Sequence, residues 1–389
     1  MQVAISGMIR IRRRIKAPAA MNTTQRDHLS QRWNFIQAEL LPELKSDGYL
    51  LTPKLERLIH ILEWVRIDEF VVGYRSDTGR PQHERAWFAN AFVAKAVLQL
   101  STTKALIERL TIDRSLRRIC GFSMHKKLPS ESTFSRAFSE FAVQNLAERV
   151  HDTLVKTHLG DRIIGHISRD GTAIEARERP KKSTADDEDK QSAKKRGRPR
   201  RGESREKKPT SRIKHQQTQT LDEMLADLPT ACDRGAKSNA KGYKSSWNGY
   251  KLHIDTACCG VPISALISSA SMHDSGAAIP LSLMSAQKVT NLYDVMDAGY
   301  CSIDLHEYSR SLGHIPLIDH NPRGGIKEEF EPLDAQRYNE RSVAERINAR
   351  LKDEFGGRNI MVRGSVKVMS HLMFGILALS ADQLMRLLL

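Results

Sequence analysis

The feature that most constrains the fold is a change of residue pattern close to position 161. Before it, apolar residues recur at helical spacing, as in residues 55–65 and 87–98. After it, short β-rich runs that end at glycines alternate with helical stretches. We therefore predict an all-helical N-terminal domain over residues 26–160 and an α/β domain over residues 161–389. The length of 389 residues allows two or three domains.

The order of elements in the second domain predicts its sheet. Strands are expected at residues 162–169, 249–256, 261–267, 292–296 and 315–318, and helices at 275–287, 303–312, 338–355 and 366–388. The second and third strands form a hairpin because a glycine-containing turn joins them. Hairpins and helical crossovers in one chain predict a mixed sheet, with parallel and antiparallel pairs, flanked by helices.

The two chain ends and the cysteines indicate the cellular compartment of the protein. Residues 1–25 are basic, with no acid and no apolar stretch, so we predict an unstructured tail, or a true start at Met21. The apolar C-terminal stretch, residues 366–389, is interrupted by charges, which favours a buried or interface helix over a membrane span. Five scattered cysteines without a C-x-x-C motif indicate a reducing compartment. We expect a cytoplasmic protein, associated with the nucleoid and not with a membrane.

The net charge of +15 and pI near 9.6 indicate a polyanionic partner. Residues 177–214 hold 16 basic and 7 acidic residues, and so carry +9 of that charge. With almost no apolar side chain there, we predict a largely disordered basic insertion over residues 177–240. Its centre resembles an AT-hook, which inserts into the minor groove of DNA, and the alternative is a solvated linker that attracts phosphates. The residues of this centre are Lys194, Lys195, Arg196, Gly197, Arg198, Pro199, Arg200 and Arg201.

A pair of helices in the first domain is a second candidate for DNA contact. Residues 113–119 predict one helix, Cys120 and Gly121 a break, and residues 129–136 a second helix with Ser130 as its N-cap. This arrangement is typical of a helix-turn-helix, and equally of a helical hairpin that only packs. The sequence leaves both interpretations open.

Two aspartates are candidates for catalysis because of their position in the predicted strands. Asp170 ends the first strand of the α/β domain, directly before Gly171 and Thr172, and Asp297 ends the strand at 292–296. The ends of strands are where open α/β sheets gather ligands and catalytic groups. A single acid in such a place usually forms a turn, whereas two on similar strand ends favour a site. Asp274 follows the hairpin instead, and we expect it to be structural.

The predicted helix at 338–355 carries a line of polar side chains. At 100° per residue, Tyr338, Arg341, Glu345 and Lys352 fall within a stripe about 60° wide, opposite the apolar residues. An ordinary amphipathic helix with solvated charges has the same pattern, so periodicity alone leaves that alternative open.

The spacing Tyr338-x2-Arg341-x3-Glu345-x6-Lys352 is identified as the Y-R-E-K signature of bacterial insertion-sequence DDE transposases. Other segments resemble that family in the same order, over residues 50–389. They are residues 116–121, 129–136, 170–172, 247–253, 272–274 and 297–300. The resemblance implies an RNase H-like catalytic fold with Asp170, Asp297 and Glu345 as its three acids.

The resemblance also implies a chemistry. Three carboxylates without His or Cys partners suit two Mg²⁺ or Mn²⁺ ions. Arg341 and Lys352 would hold phosphates beside the scissile bond, and Tyr338 would contact the DNA backbone. We expect a cut-and-paste transposase that binds terminal inverted repeats and target DNA, as a homodimer on DNA. The alternatives are an RNase H-like nuclease that cuts without joining, and an inactive, transposase-derived DNA-binding protein.

Overall fold

The computed structural model describes residues 51–71, 83–180, 211–238, 242–322 and 325–388. The basic tail at 1–25 and the AT-hook-like residues 194–201 lie outside the described residues, and so does most of the basic insertion.

Six helices and one 3₁₀ turn form the described N-terminal part. They are α1 (Pro53–Val65), the 3₁₀ turn Ile67–Phe70, α2 (Arg85–Val97), α3 (Thr103–Ile112), α4 (Arg114–Cys120), α5 (Glu131–Val143) and α6 (Leu146–Leu159). Local chemistry sets several of these ends. The Thr52 and Asp113 side chains accept hydrogen bonds from the first turns of α1 and α4, and Gly121 ends α4 in the left-handed conformation.

The rest of the chain forms a mixed sheet with helices around it. Its elements are β1 (Ile163–Glu175), α7 (Arg212–Gln216), α8 (Leu221–Asp227), β2 (Asp233–Ser238), β3 (Lys244–Ala257), β4 (Pro262–Ser269), the 3₁₀ turn Asp274–Ala277, α9 (Ala278–Ala286), β5 (Thr290–Met296), the 3₁₀ turn Ala298–Tyr300, α10 (Ile303–Ser311), β6 (Ile315–Ile318), α11 (Pro332–Asn339), α12 (Ser342–Glu354) and α13 (Ser365–Leu388).

The strand order is β2-β3-β1-β5-β6, with β4 also paired to β3. β1, β5 and β6 run parallel, whereas β3 is antiparallel to β1, β2 and β4. The predicted mixed sheet flanked by helices, and its β3–β4 hairpin, are therefore confirmed. The centre of the sheet is β1, which pairs with β3 on one side and β5 on the other, so groups on β1 lie between the two halves.

The helical part and the sheet share one hydrophobic core. Helix α13 contacts α1, α2, α5 and α6 as well as β4. Its Phe374 packs against Phe92 and Phe138, with ring centroids 5.8 and 6.2 Å apart. By length and composition the segment Ser365–Leu387 could cross a membrane, but 89% of its most apolar window is buried inside the protein. The predicted buried helix is confirmed, and it packs the N-terminal helices against the sheet.

The prediction of a largely disordered insertion over residues 177–240 was wrong for residues 211–238. This segment contains α7, α8 and β2. Met224 and Leu228 are buried, and the Thr220 and Glu223 side chains form a reciprocal capping box at the start of α8. The basic composition ends near residue 214, and the apolar residues beyond it supply enough buried surface for folding.

Candidate active site at the end of the β1–β5 pairing

Asp170 and Asp297 lie at equivalent places on neighbouring strands. The parallel ladder between β1 and β5 runs from Ile163 opposite Thr290 to Arg169 opposite Met296. Each aspartate is the residue that follows the last paired position, so parallel pairing brings their side chains to the same edge. The two acids are brought together as the sequence predicted.

Asp170 does not end its strand, contrary to the prediction. β1 continues to Glu175, which pairs with Gly249 of β3. The reason is that β3 is long enough to pair with β1 beyond the point where β5 stops. Asp170 therefore sits in the middle of β1 with its backbone held on one side by β3. A rigid strand, instead of a turn, positions this carboxylate.

Burial disfavours the ionised forms of both carboxylates. Burial raises the pKa of Asp170 to about 6, and the negative charge of Asp297 adds to the shift. Burial also raises the pKa of Asp297, against a hydrogen bond that its Oδ1 accepts from the Gly299 N–H at 3.0 Å. A positive charge placed between these groups would stabilise both ionised forms.

Two cationic side chains already face the pair. The charges of Arg341 and Lys237 both act to lower the pKa of Asp170 and of Asp297. Lys237 lies on β2, within the segment that the sequence analysis assigned to the disordered insertion, and was missed for that reason. The apolar residues of α8 are a signal that a folded segment begins there, and using that signal would have allowed β2 to be predicted.

The polar stripe predicted for one helix is divided between two. α11 ends at Asn339 and α12 begins at Ser342, so Tyr338 and Glu345 lie on different helices and the single-helix prediction was wrong. Between them the backbone tightens, with the Arg341 N–H donating to the Tyr338 carbonyl three residues back. Tyr338 nevertheless stays close, since the Arg341 guanidinium lies 5.8 Å from the centre of its ring.

Glu345 does not join the two aspartates in this structure. Its Oε1 accepts a hydrogen bond from Arg341 Nη2 at 2.7 Å, and its side chain is 58% exposed. Among the described residues, no group of three or more His, Cys, Asp or Glu side chains is placed to hold a metal ion. The structure thus brings Asp170 and Asp297 together and leaves Glu345 on the outer side of Arg341.

The next two turns of α12 do reach β1. Asn348 Nδ2 donates to Asp170 Oδ2 at 2.9 Å, and Lys352 Nζ donates to Thr172 Oγ1 at 2.6 Å. The sequence analysis named Lys352 but missed Asn348. At 100° per residue Asn348 falls about 20° outside the stripe that the other residues define, so a slightly wider window would have included it.

Asp274 is ion-paired, and its negative charge contributes to the raised pKa of Asp297, so the structural role expected for it stays a prediction. Its Oδ1 accepts from Lys251 Nζ at 2.9 Å. It lies close behind the catalytic edge because Gly171 leaves room for it. A Cβ at that glycine would lie 3.3 Å from Asp274 Oδ1 and 3.2 Å from His253 Nδ1.

The mixed sheet with paired aspartates at the end of its parallel ladder, flanked by helices, is the architecture of an RNase H-like DDE enzyme. The family model described as "Transposase DDE domain" matches residues 164–381, more than half of the chain. The chain therefore belongs to the transposase DDE domain family. A second model, "Transposase domain (DUF772)", matches residues 44–140. Searches of curated proteins and of solved structures found no match.

Family membership confirms the prediction of an insertion-sequence DDE transposase, a DNA-acting enzyme of the polynucleotidyl transferase type. Assignment to the Y-R-E-K group stays a prediction, as do the roles of the individual site residues.

Proposed function

We propose that this transposase binds the terminal inverted repeats of its own element, cuts the DNA there and joins it to target DNA, by a cut-and-paste route. The observation that carries the proposal is the proximity of Asp170 and Asp297 at the end of the β1–β5 ladder. Two partly buried carboxylates whose pKa values are both raised by burial are unfavourable in the ionised form unless a cation compensates them. Divalent cations that assist phosphodiester cleavage would supply that compensating charge.

The residues present fit a hard divalent ion. The donors that converge are carboxylate oxygens, and burial together with the negative charge of Asp297 raises the pKa of Asp170, which a bound cation would oppose. Asp170 and Asp297 would hold Mg²⁺ or Mn²⁺, with Glu345 as the third ligand. Two such ions, when bound, would activate a water or a DNA 3′-hydroxyl for attack and stabilise the leaving oxygen.

Glu345 supports this assignment by its place on α12. It lies three residues before Asn348, which already contacts Asp170, and residues at this spacing share a helix face. In this structure Arg341 donates to Glu345. When Glu345 is engaged at the site instead, the Arg341 guanidinium becomes free to bind a phosphate oxygen, for which its forked donors are suited.

Three further side chains would bind the DNA strand around the scissile phosphate. Lys352 is anchored on Thr172, two residues beyond Asp170, and adds a point charge there. Lys237, on β2, adds a positive charge that acts on Asp170. Tyr338, whose ring packs at a tilt against Phe330 with centroids 4.9 Å apart, would contact the DNA backbone.

The helical part supplies a second basic surface for binding the inverted repeats. A cavity of about 500 Å³ beside α4 is lined by Arg114, Arg117, Arg118 and His125, among others. Arg117 is committed to the fold, since it donates to the carbonyls of Ser123 and Lys126. Arg114 and Arg118 have no comparable backbone bonds among the described residues, and so can meet phosphates.

The length of the connection between α4 and α5 bears on the helix-turn-helix interpretation. α4 and α5 are separated by residues 121–130, a connection longer than the usual three- or four-residue turn. We therefore propose that α4 and its following loop bind the phosphate backbone. Sequence-specific contacts would come from the exposed start of α5.

The basic insertion, including residues 194–201, would add salt-sensitive affinity for DNA. Two ends must be processed together, which needs at least two active sites, so the enzyme would act as a homodimer on DNA. Its place of action would be the cytoplasm, at the nucleoid.

One variant tests the proposal. Asp297→Asn removes one ligand charge without changing size, so it should leave binding of inverted-repeat DNA nearly intact while abolishing divalent-dependent nicking. Unchanged nicking would remove Asp297 from the site. A strand-transfer assay with pre-cut ends separates a transposase from a nuclease that only cuts. A wild-type protein that binds ends but neither nicks nor joins would favour the inactive, DNA-binding alternative.

A further inference from the structure

Asn348 is a buried amide that contacts the proposed site without belonging to the three acids. It lies on α12 and is 6% exposed. Its Nδ2 donates to Asp170 Oδ2 at 2.9 Å. Its Oδ1 is buried and has no hydrogen-bond partner among the described residues. The side chain is thus half satisfied, and its free oxygen lies beside a carboxylate that needs positive charge.

Holding α12 on the sheet does not require this contact. Val343, Ala344, Ile347 and Leu351 are all buried on the apolar face of the helix. Lys352 adds a hydrogen bond to Thr172 of β1. Because burial of an amide oxygen without a partner is unfavourable, an apolar side chain at position 348 would serve packing better.

We propose that Asn348 is a positioning residue for the reaction of the proposed function, on which this inference rests. The Asn348 amide donates to Oδ2 of Asp170 and so fixes the plane of that carboxylate. The other oxygen of Asp170, its Oδ1, is then available to the site shared with Asp297. The free carbonyl oxygen of Asn348 would be available to accept a hydrogen bond from a water bound to a divalent ion held at this site. Outer partners of this kind orient metal-binding carboxylates and tune their affinity.

The chain contains a matched control. Asn291 is 3% exposed, its Nδ2 donates to Asp294 Oδ1 at 3.0 Å, and its Oδ1 also lacks a partner among the described residues. It stands at the start of β5, six residues before Asp297, which corresponds to about 20 Å along an extended strand. Asn348→Leu and Asn291→Leu therefore make the same chemical change, near the site and away from it.

The experiment uses the full-length protein and four measurements. These are the thermal unfolding midpoint, the affinity for Mn²⁺ without DNA by electron paramagnetic resonance, the affinity for inverted-repeat DNA, and the single-turnover nicking rate in saturating Mn²⁺. We expect Asn348→Leu to weaken Mn²⁺ binding and slow nicking, each on the order of ten- to hundredfold, with DNA affinity unchanged. Asn291→Leu should leave all three functional measurements at the wild-type level, whatever it does to the unfolding midpoint.

Wild-type Mn²⁺ affinity and nicking in Asn348→Leu would overturn the inference and leave the proposed function intact. Equal losses in both leucine variants would also overturn it, because they would indicate a general packing effect. If Asn348→Leu does not fold, Asn348→Ser replaces it, because the shorter serine side chain also loses the contact with Asp170 and adds less bulk. The same criteria apply to this variant. A wild-type protein that binds Mn²⁺ but never nicks would contradict the proposed function, while the effect of Asn348 on Mn²⁺ affinity would still be measured.

Discussion

Acid should destabilise the junction between the helical part and the catalytic part through one buried histidine. His371 lies on α13, and its Nε2 donates to the Gly356 carbonyl at 3.1 Å, since a carbonyl can only accept. Its Nδ1 therefore accepts, and it lies 3.5 Å from the buried Lys95 Nζ of α2. Burial, with a smaller contribution from the Lys95 charge, lowers the pKa of His371 from 6.5 to about 3.

The sign and size of the effect follow from linkage. The folded pKa lies below the unfolded one, so between about pH 6.5 and 3 the unfolded state binds more protons and stability falls as the pH falls. Going from pH 7.5 to 5.0 should cost about 2 kcal/mol through His371 alone. Replacing it with a side chain that cannot titrate should remove that part of the loss.

Urea unfolding of the wild type and of His371→Gln at pH 7.5 and 5.0 measures this difference. We expect the variant to lose about 2 kcal/mol less than the wild type between the two pH values, even if it is less stable at both. His125→Gln, at an exposed position, should follow the wild-type curve. Parallel losses in wild type and His371→Gln would refute the account of a neutral, buried His371.

The remaining predictions concern the shared core and DNA affinity. Phe374→Ala should lower the free energy of unfolding by about 3–5 kcal/mol, because it empties a buried ring site shared with Phe92 and Phe138, and calorimetry would check it. A single unfolding transition, lowered as a whole, would support one cooperative core, whereas loss of the helical part alone would contradict it. Deleting residues 181–210 should weaken DNA binding and reduce the slope of affinity against salt concentration in fluorescence anisotropy. An unchanged slope would contradict a phosphate-binding role for that segment.

Much of the fold could be predicted because local pattern and strand order agree. The β3–β4 hairpin, the strand before Asp297 and the buried C-terminal helix follow from alternation, glycine-containing turns and apolar periodicity. The neighbourhood of Asp170 and Asp297 followed from a rule about strand ends. The rule selected two aspartates that the structure brings together, although Asp170 lies within its strand.

The errors have different physical causes, and one of them depends on a partner distant in sequence. β1 extends beyond Asp170 because β3 continues to pair with it, and no residue near Asp170 encodes the length of β3. The break between α11 and α12 arises from a tightened turn around Arg341, where helical periodicity is preserved. Segment 211–238 was assigned by the charge of its neighbour, and its own buried residues were overlooked.

The orientation of Glu345 shows the limit of periodicity most clearly. A helical stripe predicts which residues share a face, but it does not say whether a carboxylate on that face turns to a neighbouring arginine or to the sheet. In this structure Glu345 pairs with Arg341. Buried Asn348, which the stripe narrowly missed, makes the contact with Asp170 instead.

The most direct test of the central claim is metal-ion rescue at Asp297. In Asp297→Cys a thiolate replaces a carboxylate, and sulfur ligands are poorly matched to Mg²⁺ but better tolerated by Mn²⁺. We expect nicking of inverted-repeat DNA by this variant to be lost in Mg²⁺ and partly restored in Mn²⁺, while the wild type is active in both. Nicking by the variant at the wild-type rate in Mg²⁺, or an equal loss in both ions, would contradict direct binding of the catalytic cation by Asp297.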